Sequence, residues 1–355
     1  MVNRRAAFTL VELMVSAAVV VLLAGVFLSI VSRASDGVSA ARSQVDEFQQ
    51  AQRAFEMLTQ RIGQATLNSY WDSFTVSGTT RRYQRMSELR YACGPMQSGA
   101  SALDATTTRV RPGHGIFFQA TTGQAGIMSD PALVGLENLV NTLGYFVESG
   151  PDEMRPPSVL PPNVALAKRV APRLMELREP AQRLCLYSYT SGKPDYAGFD
   201  WLRTPLDDRR LVRPVVENVA ALIILPKLTA QETERLNPGR TPEDRDAFLA
   251  PKLFYHSAAK TPPNTEPARN MRNRLPATVE ITMISLDATT VARLYGPHAL
   301  DPLKLRDAFH DARQLRAEMQ RDPVQPDRDS LERRLIAARA RYRLFTATVP
   351  IRAAQ

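Results

Sequence analysis

Cysteine is nearly absent from this chain of 355 residues, which holds two, Cys93 and Cys185. Two cysteines without C-x-x-C spacing exclude a disulfide scaffold and provide no thiol-redox or zinc motif. The four histidines, His114, His256, His298 and His310, are far apart in sequence, and each reads as a surface or satisfied histidine rather than a ligand. No Walker loop, G-x-S-x-G elbow, H-E-x-x-H helix or EF-hand loop is present, and no internal repeat is evident. An enzyme is therefore not expected, nor a cofactor or a bound metal. Asp207-Asp208-Arg209-Arg210 gathers charge of both signs, which self-pairing on a turn explains. Charge itself is scarce in one place: between Arg5 and Arg33 the single ionisable side chain is Glu12.

What fills that stretch is apolar. Leu13 to Val31 gives 19 uncharged residues, close to the ~20 that cross the hydrocarbon of a bilayer as a helix. A cleaved secretory signal has a shorter apolar core, ended by a small-residue cut site. Here the run is longer and a helical pattern continues beyond it. A core helix of a soluble protein does not explain the length or the basic flank. Arg4 and Arg5 precede the run, so the positive-inside rule leaves the N-terminus cytoplasmic and sends the rest outward. The net charge is +9, and +7 without the first seven residues. That surplus is spread along the chain and names no partner.

Glu12 is the anomaly, because a carboxylate near mid-bilayer costs about 2.5–3.5 kcal/mol. The residues Ala7-Phe8-Thr9-Leu10-Val11-Glu12-Leu13 resemble the type IV prepilin processing motif. The resemblance implies that a membrane aspartic peptidase, the prepilin peptidase, cuts between Ala7 and Phe8 on the cytoplasmic side. Phe8 is then the N-methylated first residue and Glu12 the fifth. It also implies that the Glu12 carboxylate meets the terminal ammonium of a neighbouring subunit during assembly. The family usually has Gly before the cut; Ala7 is small, and slower cleavage is expected rather than none.

Beyond Val31, apolar residues recur as Ala34, Val38, Ala41, Val45, Phe48, Phe55, Leu58, Ile62 and Ala65, the spacing of an amphipathic helix. No proline interrupts Phe8 to Leu67. The expected organisation is a leader over 1–7, a membrane helix over 8–32, an amphipathic stalk helix over 33–67 and an α+β head over 68–355. In the head, strands are expected at Leu89–Cys93, Gly115–Ala120, Gly144–Glu148, Arg173–Arg178, Leu184–Tyr189, Val215–Leu225, Thr278–Leu286 and Tyr342–Ile351. Val215–Leu225 reads as one central strand buried on both sides, and Pro350 places the last strand at a sheet edge. Residues 226–275 read as a polar, proline-rich insertion with a short helix in Pro242–Leu249. Residues 301–341 read as a helical addition: one helix over Asp301–Arg321, opened by Asp301 and Pro302, and a second over Asp329–Arg341.

Gln52–Trp71 and Leu275–Ile281 resemble the J-type minor pseudopilins of type II secretion. The order of Gly144–Val147, Glu217–Leu228 and the closing Phe345-Thr346-Ala347-Thr348-Val349-Pro350-Ile351 is similar to the prepilin-like cassette protein C of verrucomicrobial multigene cassettes. The insertion and the C-terminal helices depart from the J-type pattern. The resemblance implies a pilin-like fold: a long N-terminal helix, an antiparallel sheet head and added helices. It implies a minor pseudopilin or pilin-like subunit of a type II secretion or type IV pilus-like filament. The partners would be the peptidase, other pilin-like subunits and an inner-membrane assembly platform. The location would be the cytoplasmic (inner) membrane, single-pass, with a periplasmic head, within a pseudopilus. The contrasting reading is a DNA- or surface-binding minor pilin for uptake or adhesion. Its one signal is the arginine-rich Arg328–Arg343; a solvated helix face with local acidic partners explains it better, and a nucleic-acid partner is not expected from it. An oxidising compartment allows a disulfide between Cys93 and Cys185, against two buried thiols.

Overall fold

The computed structural model describes residues 10–76, 80–97, 102–104, 109–122, 139–151, 170–181, 188–190, 193–195, 198–236, 239, 249–250, 252–258, 272–320 and 329–354. The chain divides into two compact units, Met1–Gln49 and Gln50–Gln355. Helix α1, Leu10–Ile62, runs 53 residues without a proline. The first unit contains its apolar part. The second holds its last turns and everything after them, an α+β pilin-like fold of antiparallel sheets with additional helices.

Within the second unit, α1 buries Ala51, Ala54, Phe55, Leu58 and Ile62. These steps of three and four put one stripe on one face. The helix stops at Ile62 rather than continuing to Leu67. The Gly63 amide still reaches the Thr59 carbonyl, but the Thr66 amide turns away to the carbonyl of Gln119 at 2.9 Å. A residue whose amide is recruited by a strand cannot extend the helical ladder.

Thirteen strands follow among the described residues. Strands β1 (Tyr70–Val76) and β2 (Thr80–Met86) form a two-stranded hairpin. The main sheet has six strands: β3 (Tyr91–Pro95), β4 (His114–Thr121), β5 (Val140–Gly150), β6 (Ala171–Glu179), β9 (Val212–Glu217) and β11 (Tyr255–His256), in the order β11-β3-β4-β5-β6-β9, all antiparallel. Strands β7 (Ser188–Thr190) and β8 (Lys193–Asp195) pair with each other. The second sheet has three antiparallel strands, β10 (Val219–Lys227), β12 (Thr278–Leu286) and β13 (Tyr342–Pro350), with β12 central. Pro350 does end an edge strand. Among the described residues the further α-helices are α2 (Asp200–Asp207), α3 (Ala230–Leu236), α4 (Ala288–Leu294), α5 (Leu315–Met319) and α6 (Leu331–Ala337).

The end of α1 packs into one core with Tyr91, Ile116, Phe118 and Tyr145 of the main sheet and Val279, Ile281 and Met283 of the second. Phe55 meets Phe345 with ring centroids 5.8 Å apart. A second core lies between Ile223, Ile284 and Leu286 and the C-terminal segments carrying Val291, Leu305, Phe309, Leu331 and Leu335. A third joins Phe117, Phe146 and Leu177 to Trp201, Leu202 and Leu206 of α2.

Val215–Leu225 is two strands, not one. Asn218 takes φ +64° and is nearly buried; asparagine tolerates this left-handed conformation better than most side chains. The break sends β9 to the main sheet and β10 to the second, and β10 is buried on both faces as its apolar run suggested. Among the described residues of the expected helix Asp301–Arg321, only the five of Leu315–Met319 are helical. Lys304 and Phe309 have φ of +52° and +63°, which a right-handed helix cannot accommodate. Asp301 caps a turn instead, accepting from the amides of Leu305 (2.9 Å) and Arg306 (2.7 Å). The following helix is shorter than Asp329–Arg341, starting from a Ser330 cap and ending before Arg339 at φ +47°. Leu331 and Leu335 are buried as expected. The insertion 226–275 supplies β11 to the main sheet and puts Ala250, Leu253 and Tyr255 into cores. Most of Pro242–Leu249 and of Leu184–Tyr189 lies outside the described residues.

The two sheets meet where β4 begins. Gly113 (φ +73°) bridges to Leu222, and a Cβ there would lie 2.5 Å from the Leu222 carbonyl oxygen, so only glycine fits. Next to it, His114 is fully buried. Its Nδ1 accepts from the Ile224 amide at 2.9 Å, which leaves Nε2 to donate to the Phe309 carbonyl at 2.7 Å. Burial lowers the His114 pKa from 6.5 to about 4, with nearby His310 adding to the drop and the two backbone partners opposing it. The folded state therefore requires the neutral ring. Below pH 6.5 the unfolded chain gains a proton that the folded chain refuses. This contribution is complete above pH 6.5 and is lost as pH falls towards 4, by about 3 kcal/mol. His114→Gln retains one donor and one acceptor but does not titrate. Its melting temperature, followed by near-UV circular dichroism in detergent, should fall less steeply over that window than that of the wild type.

Candidate functional site: the apolar helix and the head surface

An 18-residue stretch within Leu10–Ser35 of α1 has mean hydropathy 2.7, and none of it is buried by the protein. Leu10, Leu13, Met14, Leu22, Phe27 and Ile30 are each at least 60% exposed, and they point to all sides of the helix. At ~1.5–3 kcal/mol for each large apolar side chain, leaving this stretch in water costs tens of kcal/mol. Lipid or other apolar helices must cover it. Glu12 lies in the first turn, the sole carboxylate of the apolar stretch. Ala7 and Phe8 lie outside the described residues.

Several titratable groups of the head are engaged in structure. Glu176 is nearly buried between strands and accepts from Arg61 of α1 (2.6 Å), Arg178 (3.2 Å), Arg213 (3.0 Å) and the Tyr145 hydroxyl (2.8 Å). Burial raises its pKa, but the Tyr145 hydrogen bond and the three guanidinium groups outweigh that and hold it below the usual range. Arg111, almost wholly buried, is paired with Asp104 (2.6 Å) and Glu148 (3.1 Å) and lies over the Phe146 ring. Arg109 and Arg209 also reach Glu148. Asp208 and Arg210 pair with each other at 2.9 Å, as a self-neutralising turn should. His310 lies near His114, but no cluster that could hold a metal exists among the described residues. Cys93 is a free, buried thiol whose pKa burial pushes up to about 12, too high for a nucleophile at neutral pH. Cys185 lies outside the described residues.

In the arginine-rich C-terminal stretch, Arg334 donates to the carbonyls of Leu303 and Lys304 and pairs with Asp329. Its charge serves the local fold. The hairpin β1–β2 was missed in sequence. The signal was present as two runs of mixed aromatic and polar residues around Ser77-Gly78-Thr79, but their low apolar content hid the alternation.

The prokaryotic N-terminal methylation motif matches residues 2–28. The chain is thus type IV prepilin-like. The motif covers the basic flank, Ala7, Phe8 and Glu12, and runs into the exposed apolar half of α1. It points to a structural subunit that a prepilin peptidase processes and that assembles with other pilins. No curated protein and no solved structure matches the chain. The prepilin-like character therefore rests on this motif and on the α+β architecture that follows it.

A chain starting near Asp36 should be soluble without detergent and melt cooperatively, because the cores of the second unit begin at Ala51. Full-length protein should stay with membranes through alkaline extraction. Aggregation of the shortened chain, or a broad melt, would show that the head needs other subunits to fold.

Proposed function

We propose that this protein is a minor pseudopilin or pilin-like subunit of a type II secretion or type IV pilus-like filament. The observation that carries this is the continuity of the methylation motif with an apolar helix that nothing in the protein covers. The prepilin peptidase cuts between Ala7 and Phe8 and methylates Phe8. The apolar half of α1 stays in the cytoplasmic (inner) membrane as a single span. Arg4 and Arg5 hold the leader in the cytoplasm, and the head lies in the periplasm. On the growing filament, the Glu12 carboxylate receives the N-terminal ammonium of the neighbouring subunit. Each charge removes the other's cost in a medium where neither could stand alone. Catalysis has no place in this scheme except in the peptidase.

Mass spectrometry of membrane-extracted protein should show an N-methyl-Phe start at Phe8. A chain that begins at Met1 in cells with a working prepilin peptidase overturns the proposal, and a start beyond Val31 means a secretory signal instead.

Glu12→Ala should be cleaved and inserted normally, because a more apolar helix enters lipid more easily. Assembly should fail, since the neighbour's ammonium loses its counter-charge only when subunits pack. Recovery in sheared filament fractions should fall about tenfold or more, as the loss of even half of a ~3 kcal/mol pairing predicts. Equal recovery of variant and wild type would make Glu12 a tolerated interfacial acid.

A further inference from the structure

The hairpin β1–β2 pairs with no other strand among the described residues, yet it carries Trp71 and Tyr83 at 66% and 70% exposure. Register sets Trp71 opposite Arg85 and Ser73 opposite Tyr83, so these four share one face of the ribbon. The two rings are diagonal neighbours, roughly 7–8 Å apart at the backbone. The Arg85 guanidinium stacks on the Trp71 ring at 5.5 Å, leaving the ring's other side open.

The base of this platform is fixed. Asn68 Oδ1 accepts from the Ser87 hydroxyl and from the amides of Glu88 and Leu89. Asn273, buried, donates to the Arg85 carbonyl at 2.6 Å and accepts from the Ser69 hydroxyl at 3.2 Å. The same anchoring segment brings up more positive charge. Partial burial and the proximity of Arg274 together lower the Arg85 pKa. Arg272 reaches Gln84 on the other side of the ribbon. Among the described residues no carboxylate pairs with Arg85 or Arg272. In sequence the hairpin holds Arg81, Arg82 and Arg85 against Asp72 alone.

Open aromatic faces beside the Arg85 guanidinium, which no carboxylate pairs among the described residues, suit a flexible polyanion that carries flat rings. We infer that this face of the β1–β2 hairpin binds single-stranded nucleic acid, with bases stacked on Trp71 and Tyr83 and a phosphate against Arg85. Duplex fits poorly, since paired bases keep their faces inside the stack. A lipid surface fits poorly as well: Trp71 lies at the base of the ribbon rather than at its tip, so it cannot lead an insertion. The site is separate from Arg328–Arg343 and depends on no part of the filament proposal.

Full-length protein in detergent, titrated into a fluorescein-labelled oligothymidine and read by anisotropy, tests this. Binding should weaken about threefold between roughly 50 and 200 mM salt, the slope expected for one phosphate contact on a single strand. Trp71→Ala and Tyr83→Ala should each weaken it about tenfold with unchanged melting temperature, because both rings are exposed. Arg85→Ala should weaken binding and flatten the salt dependence. No binding at low salt overturns the inference. So does binding that Trp71→Ala and Tyr83→Ala leave intact, which would be bulk charge alone. Tighter capture of duplex DNA, heparin or anionic-lipid vesicles overturns it too. The result is read on isolated protein, so it stands or falls separately from filament assembly.

Discussion

The His114 imidazole must stay neutral because it is held from both sides by backbone. One nitrogen takes the Ile224 amide of the second sheet, and the other gives its proton to the Phe309 carbonyl. The side chain itself starts β4 of the main sheet. One ring therefore clamps three parts of the head: both sheets and the irregular segment that covers the second core. Phe309 can present its carbonyl there because its backbone is left-handed. The close approach of the sheets also depends on Gly113, where any side chain would strike Leu222. The interrupted helix at 301–321, the divided strand at Asn218 and the buried histidine are parts of one solution. Each local departure from regular structure lets backbone groups meet at the joint.

Two charged centres tie the rest. Glu176 collects three arginines and a tyrosine hydroxyl, and one of those arginines comes from the end of α1. Glu148 does the same for Arg109, Arg111 and Arg209. Buried ion pairs are not strong sources of net stability, since desolvation consumes most of the attraction. Their effect is on selection among packings. A register slip in β6 would carry Glu176 to the opposite face of the sheet and leave its guanidinium partners unpaired.

Much of this was legible in the sequence where a single physical demand dominates. An uninterrupted apolar run has one solution, so a long N-terminal helix was plain, although its end at Ile62 was not. Thr278–Leu286 and Tyr342–Pro350 were readable because alternation and an edge proline agree with their places in the sheet. The failures occurred where long-range contacts decide. Asn218 looks unremarkable within its apolar surroundings, and only the separation of the two sheets explains the break. Asp301-Pro302 is a good helix start by local rules, but Phe309 is needed at the joint. The exposed candidates divided similarly. The N-terminal motif is contiguous and could be read directly, whereas the Trp71 face depends on cross-strand pairing with Tyr83 and Arg85, which spacing alone does not reveal.

The apolar half of α1 presents similar side chains around its whole circumference. A helix of that kind has no preferred azimuth in lipid: it can spin about its long axis at almost no cost, since every rotation exposes the same chemistry to the acyl chains. Glu12 is the one mark on an otherwise featureless cylinder. Whatever sets the rotational phase of this helix beside another must act through that single side chain or through groups beyond the apolar stretch.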